Sequence, residues 1–192
     1  MRKIKLFASF AALLLLMASC GGGNKTGTET TENADNNETT KVDDSKFFTS
    51  EKGKFKINFP GTPKETSQDV ETAVGTIQMV SYMHEASLSE AYMVAYSDYP
   101  ASAVKDSNTD EMLENAMGGF VGQLGITIEK QEKITMGDAK GISFKGTGNG
   151  VFTVMKDYLV DNRLYQIGIL RSDRYPTDEE VNNFINSFKL VK

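Results

Sequence analysis

Polar and apolar residues alternate strictly along Lys54-Phe55-Lys56-Ile57-Asn58-Phe59, and the run stops at Pro60-Gly61-Thr62-Pro63. A period of two places alternate side chains on one face, so this segment predicts a half-buried strand ending in a turn. Further alternating or apolar runs at 75–83, 91–97, 126–132, 141–145, 152–160 and 164–170 bring the expected count to about seven strands. Two segments carry the helical period instead. Leu113, Ala116, Met117, Phe120, Val121 and Leu124 share one face, with Thr109 as the expected N-cap before Asp110 and Glu111, and Gly125 as the C-cap. The second runs from Thr177 to Phe188. There Thr177 and Glu180 have capping-box spacing, and Val181, Phe184, Ile185 and Phe188 form the apolar stripe.

Asp161-Asn162 has the length of a two-residue hairpin loop between the two longest strand-like runs. Gly146-Thr147-Gly148-Asn149-Gly150 could suggest a phosphate-binding loop, but a strand rather than a helix follows it and no Lys-Ser or Lys-Thr pair closes it. It reads as a hairpin loop. Gly118, Gly119 and Gly122 weaken the first helix intrinsically, which leaves two readings: close backbone packing against a neighbour, or a mobile helix gating a groove. The order β-rich, α, β-rich, α predicts an α+β domain with a mainly antiparallel sheet and two principal helices covering at least one face.

The composition changes abruptly at Phe47. Residues 21–46 are almost wholly Gly, Thr, Asn, Glu, Asp and Lys. They cannot bury enough apolar surface to offset their ordering entropy, so 20–46 is expected to be a disordered spacer with a reach of about 25 to 30 Å. Residues 47–192, about 146 in all, have the usual size of a single domain.

Upstream, Arg2, Lys3 and Lys5 precede an apolar run from Leu6 to Met17, and Ala18, Ser19 and Cys20 follow. This is the layout of an export signal over residues 1–19, too short for the roughly twenty residues of a membrane span. Met17-Ala18-Ser19-Cys20 resembles the lipobox of bacterial lipoproteins, whose usual form is Leu-Ala-Gly-Cys, with Met17 in place of the preferred Leu. The resemblance implies cleavage between Ser19 and Cys20 and a diacylglyceryl thioether on Cys20, with further acyl chains such as palmitate. The alternative is an ordinary secretory signal with an incidental cysteine. Cys20 is the only cysteine, so it has no internal disulfide partner. Gly21 stands where an Asp acts as an inner-membrane retention signal in some bacteria, and no acidic run follows, so the periplasmic face of the outer membrane is the expected location.

Phe55-Lys56-Ile57-Asn58-Phe59-Pro60-Gly61-Thr62-Pro63, Gly75 opening a strand, Arg163-Leu164-Tyr165-Gln166-Ile167 and Ser187-Phe188-Lys189-Leu190 resemble the PsbP-like (Mog/PsbP-type) domains. The resemblance spans essentially Phe47 to Lys192. It implies an α/β/α sandwich, mostly used as a non-enzymatic accessory or binding module, and it carries over no catalytic residues.

The formal charge of −5 becomes more negative once the three signal cations are removed, which disfavours nucleic acid as a partner. His84 is the only histidine and has no nucleophile-elbow context near it, so neither a catalytic triad nor a metal site is expected. Tyr92, Tyr96 and Tyr99 beside Asp98, with Tyr158, Arg163 and Tyr165, form the candidate binding surface, and Arg171 extends the second set; tyrosines capping a core are the competing explanation. The expectation is a lipid-anchored, non-enzymatic envelope module without a cofactor, whose partner is an envelope protein or a small molecule. The alternatives are an envelope-polymer hydrolase or transferase, which needs facing carboxylates in a pocket, and a purely structural spacer.

Overall fold

The computed structural model describes residues 47–105 and 107–191. The expected signal 1–19, Cys20 and the spacer to residue 46 lie outside them. The described residues belong to one unit. In chain order it contains β1 (Phe48–Ser50), β2 (Phe55–Ile57), β3 (Lys64–Thr72), β4 (Gly75–Ser87), β5 (Glu90–Asp98), α1 (Ala101–Lys105) and α2 (Thr109–Leu124). Then come β6 (Thr127–Met136), β7 (Ala139–Gly148), β8 (Val151–Val160), β9 (Arg163–Arg171), α3 (Asp178–Asn183), a 3-10 turn at Ile185–Ser187 and β10 (Lys189–Leu190).

Seven strands pair antiparallel in the order β3-β4-β5-β9-β8-β7-β6. A second sheet has the order β1-β2-β10. The α+β class and the seven-stranded antiparallel sheet agree with the sequence reading, but two strands change places. The run 54–59 contributes β2 of the small sheet, and the seventh strand of the large one is β3, whose sequence KETSQDVET is almost entirely exposed. No face of β3 is buried, so it carries no apolar alternation; its ladder with β4 holds it. β1 and β10 are too short for any period to show.

The pleat divides the large sheet's side chains between two cores. Toward the small sheet lie Val80, Tyr82, Tyr92, Val94, Tyr96, Tyr158, Tyr165, Ile167 and Ile169, packed against Phe55, Ile57 and Phe59 and against Phe184, Ile185 and Phe188. Toward α2 lie Met93, Ala95, Ile142, Phe144, Met155, Leu159 and Leu164, met by Leu113 and Met117.

The helix ends show how local chemistry sets boundaries. Asn108, not Thr109, caps α2: its Oδ1 accepts from the Asp110 N–H at 2.9 Å, leaving Thr109 as the first helical residue. Gly125 ends the helix at φ 64°. The second helix is shorter than its apolar stripe. The expected capping box is present, with Glu180 N–H on Thr177 Oγ1 at 3.2 Å and Thr177 N–H on Glu180 Oε2 at 2.7 Å. At Phe184 (φ −111°, ψ −74°) the backbone leaves the α-helix, and Ser187 Oγ donates to the Phe184 carbonyl at 2.6 Å in the tighter turn that follows. The hairpin at Asp161-Asn162 is present; of the two, only Asp161 takes a positive φ, 53°. In the glycine-rich segment 146–150 the turn is Asn149-Gly150, and Gly146 and Gly148 belong to β7.

Gly118, Gly119 and Gly122 all point to solvent, and a Cβ added at any of them meets nothing within 4 Å. Close packing is therefore not their role. Alanine at each position adds helix propensity without a clash, about 0.5 to 1 kcal/mol per site. The triple substitution should raise the urea midpoint accordingly; an unchanged midpoint would show that these glycines do not weaken α2.

Candidate functional site

The aromatic-cationic residues singled out in the sequence are brought together, but as packing rather than as an open surface. Tyr92, Tyr96, Tyr158 and Tyr165 are buried. Tyr165 OH donates to the Gly53 carbonyl at 2.8 Å, Tyr92 OH donates to Glu90, and Tyr158 lies across Gly141, its β7 partner. Burial raises the hydroxyl pKa of all four tyrosines. Arg163 grips Asp98 with two nitrogens, at 2.6 and 2.7 Å, and donates to the Lys52 carbonyl at 2.8 Å. Its guanidinium stands 4.6 Å from the Tyr96 ring centroid, closing that ring off from solvent. Tyr99, half-buried, packs on the α2 side and is separated from the others by the sheet.

Arg171 is only 8% exposed and sits at the centre of an ion-pair network. Its Nη1 lies 2.8 Å from Glu90 and 2.7 Å from Glu180, and its Nε donates to Asp173 at 3.0 Å. Arg174 donates to both oxygens of Glu180, whose pKa is held at about 2, chiefly by that contact. Each carboxylate here faces a cation, so the network ties the start of α3 to β5 and β9. His84 packs over Gly61, and its Nδ1 lies 3.2 Å from the Thr62 carbonyl, which anchors the turn after β2. Among the described residues no group of three or more His, Cys, Asp or Glu could hold a metal ion.

The described residues also form open grooves, two of which carry charged linings. One, about 300 Å³, is lined by Asp110, Lys133, Ile134, Thr135, Lys140 and Gly141. Its one carboxylate is occupied: Asp110 pairs with Lys133 at 2.7 Å and Lys140 at 3.8 Å, which lowers its pKa. The other, about 350 Å³, lies between β1 and the start of β3, with Phe48 and Tyr82 among its lining residues and Glu51, Lys52 and Glu65 supplying charge. Tyr82 OH and Ser50 Oγ share a hydrogen bond of 2.9 Å, and burial leads the rise in the tyrosine's pKa. The sequence reading missed this groove because its walls are short strand β1 and apolar-poor strand β3.

It also missed Asp157. On β8 this residue shares its face with Met155 and Leu159, between Ile142 of β7 and Gln166 of β9, beneath the α2 layer. It is 0% exposed; Oδ2 accepts from Gln166 at 3.3 Å, and Oδ1 has no hydrogen-bond partner. Burial pushes the carboxyl up to about 7. The spacing of a lone acid two residues from apolar neighbours on both sides was the available signal.

With the topology in place, the chain can be set beside known structures. Cyanobacterial PsbP (CyanoP) from Synechocystis sp. PCC 6803, solved in solution, superposes with a TM-score of 0.51 over 80% of this chain and 98% of its own, at 11% sequence identity. The fold is PsbP-like. At that identity the likeness concerns the PsbP-like backbone alone. No family model matches the sequence, and no curated protein matches it.

Proposed function

We propose that this chain is a non-enzymatic binding or accessory domain of the bacterial cell envelope, held through acyl groups on Cys20 at the periplasmic face of the outer membrane. The observation that supports a binding role is the groove between β1 and β3, where aromatic side chains and charged residues of both signs line about 350 Å³ of open space. The Met17-Ala18-Ser19-Cys20 motif supports the anchor. Within the described residues no helix is long and apolar enough to cross a membrane.

Crosslinking in live cells, followed by purification and mass spectrometry, tests both parts together. The native chain should capture one specific partner. Recovery should fall about tenfold or more when Glu51→Arg and Glu65→Arg are combined at the groove, and Cys20→Ala should release the chain from the membrane fraction. Equal recovery by the native and groove-substituted chains would sink the groove as the binding site. Glu51 and Glu65 also give the hydrolase alternative its one specific observation, since both line the same groove. That reading requires Glu51→Gln or Glu65→Gln to abolish release of soluble sugar from purified cell-wall glycan.

A further inference from the structure

β2 turns Phe55 and Ile57 into the core, so Lys56 between them points to the outer face of the small sheet. Lys189 is its register partner on β10, and Thr49 its partner on β1, so all three share that face. The Phe47 ring lies under both ammonium groups, with Lys56 Nζ at 5.4 Å and Lys189 Nζ at 5.2 Å from its centroid. Lys52 and Lys54, both exposed, flank the same sheet. The small sheet and its turn therefore carry four lysines against Glu51, in a chain whose formal charge is −5.

From this geometry we infer that the outer face of the small sheet docks on the anionic phospholipid surface to which the chain is anchored. The inference rests on the lipid-anchor reading above. Three features select a bilayer. The lysines of this face outnumber its acid, so its net charge is opposite to that of the domain as a whole, which a merely solvated face of an acidic protein does not require. Lysines around an aromatic ring are the residues that settle at the boundary between head groups and acyl chains. The chain enters the domain at Phe47, next to β1 of this sheet, and the Phe47 ring is itself part of the patch. Attraction within a Debye length of the surface then orients a domain that is otherwise repelled. Docked in this way, β10 and β2 lie against the head groups.

Lysine labelling on vesicles tests the inference. The full chain, processed by the bacterial cells that produce it, is purified in detergent and reconstituted either into equimolar phosphatidylglycerol and phosphatidylcholine or into phosphatidylcholine alone. A water-soluble acetylating reagent then reports each lysine by mass spectrometry. At low salt, Lys52, Lys54, Lys56 and Lys189 should label about threefold or more slowly on the anionic vesicles, and the difference should vanish at about 0.5 M salt. Lys130 and Lys133 on β6 should label alike on both. Combining Lys52→Glu, Lys54→Glu and Lys189→Glu, all at exposed positions, should remove the protection of Lys56. A chain retained on both vesicle types with equal labelling at the four lysines overturns the docking inference and leaves the anchor intact. Loss of the chain from both vesicle types overturns the anchor, and the docking inference with it.

Discussion

Raising the pH from about 4 to about 7.5 should cost the native chain on the order of 4 kcal/mol of folding stability, and an Asp157→Asn chain almost none of it. The folded state keeps the carboxyl protonated up to about pH 7 because the side chain is fully buried and one oxygen has no partner. In the unfolded chain the same group releases its proton near pH 4. Through the interval between the two values the folded state binds a proton that the unfolded state has lost, so stability falls as pH rises. About three pH units at roughly 1.4 kcal/mol each give the figure above.

The ion-paired acids act with the opposite sign and in a different window. Glu180, Asp110 and Asp173 have lowered pKa values, so their contribution is lost only as pH falls below the ordinary carboxylate range. The native chain should therefore be most stable near pH 4 to 5, an unusually acidic maximum. Urea titrations followed by circular dichroism at several pH values check this. Parallel pH profiles for the native and Asp157→Asn chains would refute the assignment. Asn keeps the shape and the contact with Gln166 while removing the ionisation, which makes it the informative substitution.

Arg171→Ala should destabilise the domain by about 3 kcal/mol, the cost of leaving largely buried charges unpaired. The guanidinium holds Glu90 and Glu180 on one nitrogen, and their side chains are only 17% and 19% exposed. Without it two carboxylates face each other, with the Tyr92 hydroxyl, Arg174 and Thr177 as what remains of their partners. Arg174→Ala is the control: its side chain is 43% exposed, and its loss should cost about 1 kcal/mol or less. Equal losses for the two arginines at neutral pH would mean that the buried network contributes no more than a surface pair.

These two residues mark the limit of what the sequence makes legible. Arg171 and Glu180 were visible separately, one as a cation on a strand and the other as a capping-box acid, but their meeting depends on where α3 lands on the sheet. Strands with a buried face announced themselves by period, as at 54–59 and 152–160. The cap at Thr177 and the hairpin at Asp161 follow from local chemistry within a few residues and were readable for that reason. β3 was not, because a strand exposed on both sides has no pattern beyond its own polarity. The tyrosines stand out in the sequence for their chemistry, whereas their burial depends on the pairing order β5-β9-β8. Groove walls contributed by β1 and β3 lie in segments that the periodicity rules pass over.

The small sheet also constrains the order in which the chain can acquire its structure. Its middle strand, β2, needs β10 on one side, and Asn58 N–H reaches Ser187 Oγ at 2.9 Å across 129 residues. Phe55 and Ile57 can become fully enclosed only after Phe184, Ile185 and Phe188 have been made. During synthesis β1 with β2, β3 with β4 and β5, and β6 through β9 can pair with near neighbours, while Phe55 and Phe59 must wait for the C-terminal aromatic residues that cover them. A nascent chain halted before Phe184 would therefore present Phe55 and Phe59 as a sticky surface, which makes the C-terminal segment a checkpoint between a chaperone's client and a finished domain.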